Sequence, residues 1–335
     1  MKYFSAIDLH SNNSYLVISD EEDRSMVEKR LANDLKLILR ELEPFKSDIQ
    51  GIAVESTYNW YWLVDGLMDA GYTLKLVNTS AIQSYSGLKY TNDVHDARWL
   101  AKLLRLDILP TGYIYPKEQR KVRDILRKRA GLVQQRSLNI TSFKSMFARQ
   151  LGFTIKSNDI HKNMEQFCFE DPMLEACCAP HKQLYKVLTE EIDKLEKLVG
   201  SQLKESSIYT QLQTTPGIGK ILAATISLET GNISRFNKVG NYASYCRCVK
   251  STRVSNYKIK GKGNAKCGNK YLSWAFSEAA HFAIRHYKPI KCFYDRKKRK
   301  SNGIIAMRAV AHKLARACYF IMRDNVEFDM KLAFG

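Results

Sequence analysis

Up to Pro110, short runs alternating apolar and polar residues are interleaved with runs of helical period, and beyond it the strand-like alternation stops. A side-chain repeat of two belongs to a strand and one of 3.6 to a helix. A chain with this break therefore builds a sheet from its first third and helices from the rest. Residues 3–10 read as a strand, Ser11-Asn12-Asn13 as a turn, 14–19 as its hairpin partner and 25–30 as a further strand. Residues 33–45 carry the helix period, with Asn33 as N-cap and Pro44 near the stop. Strands follow at 49–56 and 72–78 and helices at 59–70 and 92–106, an α/β layout around one mixed sheet.

The rest reads as helical. Residues 117–150 and 180–206 are long helices, and the Pro/Cys-rich span 168–180 connects them or bends the path. Leu184, Leu188, Ile192, Leu195, Leu198 and Val199 place an apolar stripe on the second. That stripe favours pairing between subunits over pairing within the chain. A last compact domain begins near 208 and closes with helical patterns at 269–285 and 305–323.

Charge divides along the same lines. Residues 1–115 hold 12 Lys and Arg against 16 Asp and Glu, 117–150 hold 10 against 2, and 233–323 hold 22 against 2. An acidic first domain joined to strongly basic later parts attracts a polyanion, most simply nucleic acid. The eight cysteines form no regular framework and no paired CxxC knuckles, so reduced thiols are expected. There is no secretory leader pattern and no 18-residue apolar run, so a cytoplasmic protein without a membrane partner is expected.

Four acids stand out. Asp93 and Asp96, three residues apart, share a helical face, and their like charges repel unless something positive faces them. Asp8 sits among Ala6, Ile7 and Leu9 in a strand, where burial of its charge demands compensation, and Glu55 lies at the exit of a later strand. Converging oxygen ligands of this kind suit Mg²⁺, with Mn²⁺ as a substitute. Each acid also has a plain explanation: Asp96 could pair with Arg98 or Lys102, Asp93 could cap its helix, and Glu55 could be solvated. His10 could assist Asp8, although a lone histidine is more often structural.

The last domain offers a phosphate-binding surface. Pro216-Gly217-Ile218-Gly219 before an apolar helix looks like the hairpin of helix-hairpin-helix modules, with Gly217, Gly219 and Lys220 at a phosphate; a tight interhelical turn is the plain reading. No Walker pattern is present. The segment 250–270 supplies Lys250, Arg253, Lys258, Lys260, Lys262, Lys266 and Lys270 among glycines and hydroxyls. The run Arg296, Lys297, Lys298, Arg299 and Lys300 reads as a phosphate-facing loop between helices. Ser251 and Ser255 are candidate nucleophiles without an obvious local base.

Taken in order, "AIDLH", "AVEST" and "NDVHDARWLAKLL", then "PGIG", "VSNYKIKGKGNAKCGNKYLSWAFSEAAHFAIR" and "AHKLARACYFIM", resemble the DEDD transposases of bacterial insertion sequences, which are similar to pilin gene invertases and include bridge-RNA-guided recombinases. The resemblance implies an α/β ribonuclease H-like, Holliday-junction-resolvase-like N-terminal domain over 1–115. It further implies a helical coiled-coil assembly region over 116–207 and a mainly α-helical C-terminal transposase domain over 208–335. Asp8, Glu55, Asp93 and Asp96 become the DEDD metal ligands. Ser255, with Ser251 in reserve, becomes the residue that attacks DNA and carries a covalent phosphoserine link, although Asn256 stands where the family commonly has glycine. Donor and target DNA, a structured guide RNA and homodimers assembling as a tetramer are the implied partners. Two rivals remain: a metal-dependent nuclease or junction resolvase using water, and a non-catalytic nucleic-acid scaffold.

Overall fold

The computed structural model describes residues 1–82, 93–250, 253–261 and 267–335, with residues 253 and 254 described by their backbone alone. It divides into two compact units, Met1–Lys117 and Glu118–Gly335.

The first unit is a five-stranded mixed sheet. Strands β1 (Tyr3–Leu9), β2 (Asn13–Ser19), β3 (Ser25–Ala32), β4 (Ile49–Glu55) and β5 (Leu74–Val77) lie in the order β3-β2-β1-β4-β5. β1 to β3 form an antiparallel meander, and β4 and β5 add in parallel beside β1. Helices α1 (Leu35–Leu42) and α2 (Tyr61–Asp69) contribute Ile38, Leu42, Leu63 and Leu67 to one core, together with Ile7, Leu9, Ile52 and Val54. Helix α3 (Asp93–Arg105) packs Ala97, Leu100 and Ala101 against Ala6, Val17 and Ala53 on the other face. The small side chains of Ala6 and Ala53 suit this packing of a helix on central strands. The central strands are buried on both faces, which is why their sequences are nearly continuous apolar runs.

Strand parity decides which residues see α3. Ile7 and Leu9 belong to the α1/α2 core, so Asp8 projects to the α3 face beside Ala6. In β4 the same alternation puts Ile52 and Val54 on one side and Ala53 and Glu55 on the other. Register aligns Ile7 with Val54, which brings Asp8 and Glu55 to the carboxyl ends of neighbouring parallel strands. This position lies inside the sheet, between its two central strands.

One local expectation changes at the start of α1. Asn33 is not the cap of α1; Asp34 is, accepting a hydrogen bond from the Lys36 amide at 2.8 Å. Asn33 instead donates to the carbonyls of His10 and Ser11 and accepts from Ser14, because its amide serves both chains of the β1–β2 turn.

The second unit opens with α4 (Lys117–Leu151), followed by α5 (Ser157–Lys162) and α6 (Pro172–Leu203). The Cys-rich span is largely helix: Asp171 caps α6, Pro172 occupies its first turn, and Pro180 lies inside it. α4 and α6 run antiparallel within the chain, joined by Arg129 to Glu196, Arg136 to Thr189 and the Asn139 side chain to the His181 carbonyl. Of the apolar stripe, Leu188, Ile192 and Val199 turn inward while Leu184 and Leu198 stay exposed. Phe143, Phe147, Ile160 and Phe169 close the far end with a small core of their own.

Helices α7 (Ser207–Leu212), α8 (Lys220–Thr230), α9 (Val239–Tyr245), α10 (Lys270–His286), α11 (Lys288–Lys300), α12 (Gly303–Asp324) and α13 (Met330–Phe334) complete the unit around the main core. Strands do not cease at Pro110. β6 (Arg253–Ser255) and β7 (Lys258–Gly261) form an antiparallel hairpin closed by Asn256 and Tyr257, both with positive φ. Its brevity and its lysines hide the alternation that marks longer strands. The basic run 296–300 is also not a loop, because α11 continues through Lys300.

Candidate metal centre

Three side chains meet at the end of β1. Asp8 is 4% exposed, and its Oδ2 lies 3.3 Å from His10 Nε2; Asp93 Oδ2, from the first turn of α3, lies 3.3 Å from the same nitrogen. One ligand atom from each residue falls within 4.8 Å of the others. His10 Nε2 is buried and makes no hydrogen bond among the described residues. A buried imidazole nitrogen without a hydrogen bond between two carboxylate oxygens has the donor set of a cation site: two carboxylate oxygens and a ring nitrogen directed at one small volume.

The fold builds this arrangement from the backbone outward. His10 follows Asp8 by two residues and so lies on the same face. Its carbonyl receives the side-chain amides of Asn33 at 2.9 Å and Asn59 at 3.1 Å, and its amide donates to the Asn13 carbonyl at 2.9 Å. Arg98 and Arg105 on α3 grip Glu28 and Asp23 of the β2–β3 hairpin region in bidentate pairs, and Lys102 joins Asp23. These contacts hold α3 against the meander. They also engage the two cations that could have neutralised Asp96.

Glu55 and Asp96 surround this trio. Burial, reinforced by a hydrogen bond with Asp8 and by the charges of Asp8 and Asp96, pushes the Glu55 carboxyl up to about 8. Asp96 is raised as well, first by burial and then by Asp8, with Asp93 adding to it. So many carboxyls cannot all ionise together without positive charge among them. Glu55 therefore holds a proton near neutral pH while the protein is free of cations, and a divalent ion supplies the same compensation in another form. Sequence reasoning named the four acids and allowed that His10 could assist Asp8, while favouring a structural role for it, and gave the two asparagines no part in the site. The two-residue offset of His10 from Asp8 on one strand face was the available signal.

The other predicted residues lie in the second unit. Gly217 has φ of +81°, and a Cβ there would fall 2.2 Å from the Ala279 carbonyl, so this glycine is required for the close approach of α10. Gly219, at the start of α8, faces open space, with Lys220 exposed beside it. Lys250, Lys258, Lys260, Lys270 and Arg296 through Arg299 are exposed. Ser251, Lys262 and Lys266 lie outside the described residues, as does the side chain of Arg253.

Ser255 is exposed at the end of β6 and pairs with Lys258 across the hairpin turn. The expectation of serine attack and a phosphoserine link is corrected here. Among the described residues, the assembled reactive group is the Asp8, His10 and Asp93 ligand set, which is equipped to hold a cation and activate water.

A ribonuclease H-like sheet with carboxylates and a histidine converging at the end of a central strand is the layout of an enzyme acting on nucleic acid, with a candidate cation site. Comparison with known proteins makes this specific: residues 6–149 match the family model of the IS110-type DEDD transposases, and residues 209–295 match that of the transposase IS116/IS110/IS902 family. The chain belongs to this transposase family, whose substrate is DNA. It is 20% identical to the transposase for insertion sequence element IS1328 of Yersinia enterocolitica over 96% of this chain and 97% of that protein. It is 22% identical to the insertion element IS110 uncharacterized 43.6 kDa protein of Streptomyces coelicolor over 42% of this chain and 35% of that protein. The latter match thus spans about a third of the Streptomyces protein. Among the described residues no helix is long and apolar enough to cross a membrane.

Proposed function

We propose that the chain cuts DNA strands by divalent-cation-assisted attack of water on a phosphodiester, and that the hydroxyl freed by the cut then attacks a target phosphodiester, joining the strands as that phosphate's own leaving oxygen departs. The observation that carries this reading is the convergence of Asp8, His10 and Asp93 on one point with the His10 nitrogen left unbonded. A divalent ion at that point would draw electrons from the scissile phosphate and make water a better nucleophile at neutral pH. Asp8, His10 and Asp93 would hold the ion, and Glu55 and Asp96 would complete its acidic surround. Water adds to phosphorus, the bond to the leaving oxygen breaks, and that oxygen departs as a hydroxyl.

The finer features belong to the same proposal. Mg²⁺, with Mn²⁺ as substitute, fits a site dominated by carboxylate oxygen. The basic residues of the second unit would bind phosphates without reading sequence. The resemblance carries the rest: donor and target DNA, a structured RNA partner, homodimers joining as a tetramer, a cytoplasmic setting, and a division at about residues 115 and 207.

The test uses Asp8→Asn, Asp93→Asn and Ser255→Ala proteins with DNA carrying the ends of the element. Both aspartate variants should lose Mn²⁺ binding in calorimetry and lose strand scission. Ser255→Ala should cut normally, and no variant should leave protein bound to DNA after denaturation. A denaturation-resistant adduct that vanishes in Ser255→Ala would overturn the water mechanism.

A further inference from the structure

The corner between α11 and α12 combines two exposed features, a basic helix end and a pair of isoleucines. The last turns of α11 expose Arg296, Lys297, Lys298, Arg299 and Lys300. Only Ser301 and Asn302 separate them from α12, whose first turn presents Ile304 at 74% and Ile305 at 56% exposure. Ile304 borders a cleft of about 770 Å³ with Ile284, Tyr294 and Met307. Lys298 reaches toward this cleft, its Nζ 6.0 Å from the Tyr294 ring centroid, whereas Arg296 and Lys297 lie over Phe293. A Cβ at position 303 would come 3.2 Å from the Tyr294 hydroxyl, so Gly303 keeps the mouth of the cleft clear.

Two adjacent exposed β-branched side chains beside an apolar cleft gain free energy when an apolar partner covers them. Charge identifies that partner. Asp295 and Glu278 are the only acids between 233 and 323, so the corner repels basic proteins and attracts a polyanion. Nucleic acid offers both surfaces within a few ångströms, phosphates for the lysines and stacked bases for the isoleucines. Side chains such as Ile inserted between base steps unstack and kink duplex DNA.

We propose that residues 296–305 dock on duplex DNA, with the basic turns of α11 on the backbone and Ile304 and Ile305 as a wedge that unstacks a base step. This rests on the chain acting on DNA but not on its cation site. Its test is therefore run in chelator with the Asp8→Asn protein, and failure of the cleavage reading leaves it untouched.

Duplexes carrying 2-aminopurine in place of the adenine of a TA step, among the easiest steps to unstack, report the wedge by a rise in fluorescence. The Ile304→Ser/Ile305→Ser protein should bind on the order of tenfold more weakly, since burial of an aliphatic side chain is lost. It should show no fluorescence rise at saturation and should keep the parent's salt dependence. Lys298→Ala should keep the fluorescence rise and lower the slope of log affinity against log salt by about 1. Both isoleucines are exposed, so unchanged circular dichroism and melting temperature are expected. A double-serine protein that still unstacks the step, a parent that never does, or equal unstacking of duplex RNA would each overturn the proposal.

Discussion

Asp8 and His10 show how a candidate metal ligand is placed by its position along a strand. One residue earlier or later, either side chain would enter the aliphatic core with Ile7 and Leu9. His10→Ala should weaken Mn²⁺ binding at least about tenfold in calorimetry, and Asn33→Ala should do so by a similar factor, because its amide fixes the His10 backbone. Glu55 adds a pH signature. Its folded-state value of about 8 stands above the ordinary 4.5, so the folded chain retains a proton that the unfolded chain releases. Its stabilising contribution is complete below the unfolded value and is lost as pH rises through about 8. In chelator, the melting temperature of the parent should therefore fall between pH 5 and 8 more steeply than that of Glu55→Gln, and Mn²⁺ should flatten the difference. Identical slopes in the two proteins would remove Glu55 from the cluster. The four acids drew attention in the sequence because acids in apolar or like-charged settings demand compensation, and two of them, Asp8 and Asp93, fall in the observed cluster. His10 could be offered only as an assistant to Asp8, because one histidine beside a strand looks the same whether or not a second element comes to meet it.

Among elements, the PGIG turn carries two glycines with different duties. Gly217 has a carbonyl of α10 in the space a Cβ would need, together with a positive φ, whereas Gly219 faces solvent. Gly217→Ala should destabilise the second unit by about 3 kcal/mol in denaturant melts, from overpacking and backbone strain together. Gly219→Ala should cost less than about 1 kcal/mol. Equal effects would mean that α10 yields to the added methyl group. Glu229 is 2% exposed, bonded to Arg127 of α4 at 2.7 and 2.8 Å and to the Asn269 side chain at the start of α10. Glu229→Ala removes a partner of the Arg127 guanidinium and of the Asn269 amide and should cost about 1–3 kcal/mol in the same melts. Neither role could be read from the sequence, which shows a glycine-rich turn and an acid but not the neighbouring helix.

At the scale of the molecule, each unit has its own core, the first around the sheet and the second around α8, α10 and α12. Calorimetric heating should give two transitions, with Mn²⁺ raising the one that Asp8→Asn leaves unresponsive; a single transition would show that the units unfold as one. DNA affinity should fall by about a thousandfold or more between 50 and 200 mM salt if six or more phosphates are held, and a loss under tenfold would count against the basic face. The sequence alone determined the break from sheet to helices, the charge division and the family, because periodicity, composition and ordered motifs are local or cumulative properties of a chain. The β6–β7 hairpin and the helical state of 296–300 escaped it, since short or highly charged elements carry little periodic signal. Only the tertiary structure decided which atoms meet: that His10 joins Asp8 and Asp93, and that Arg98 and Lys102 serve Glu28 and Asp23. Those pairings join residues up to 85 positions apart, and packing brings them together through parity and register, which no single segment encodes.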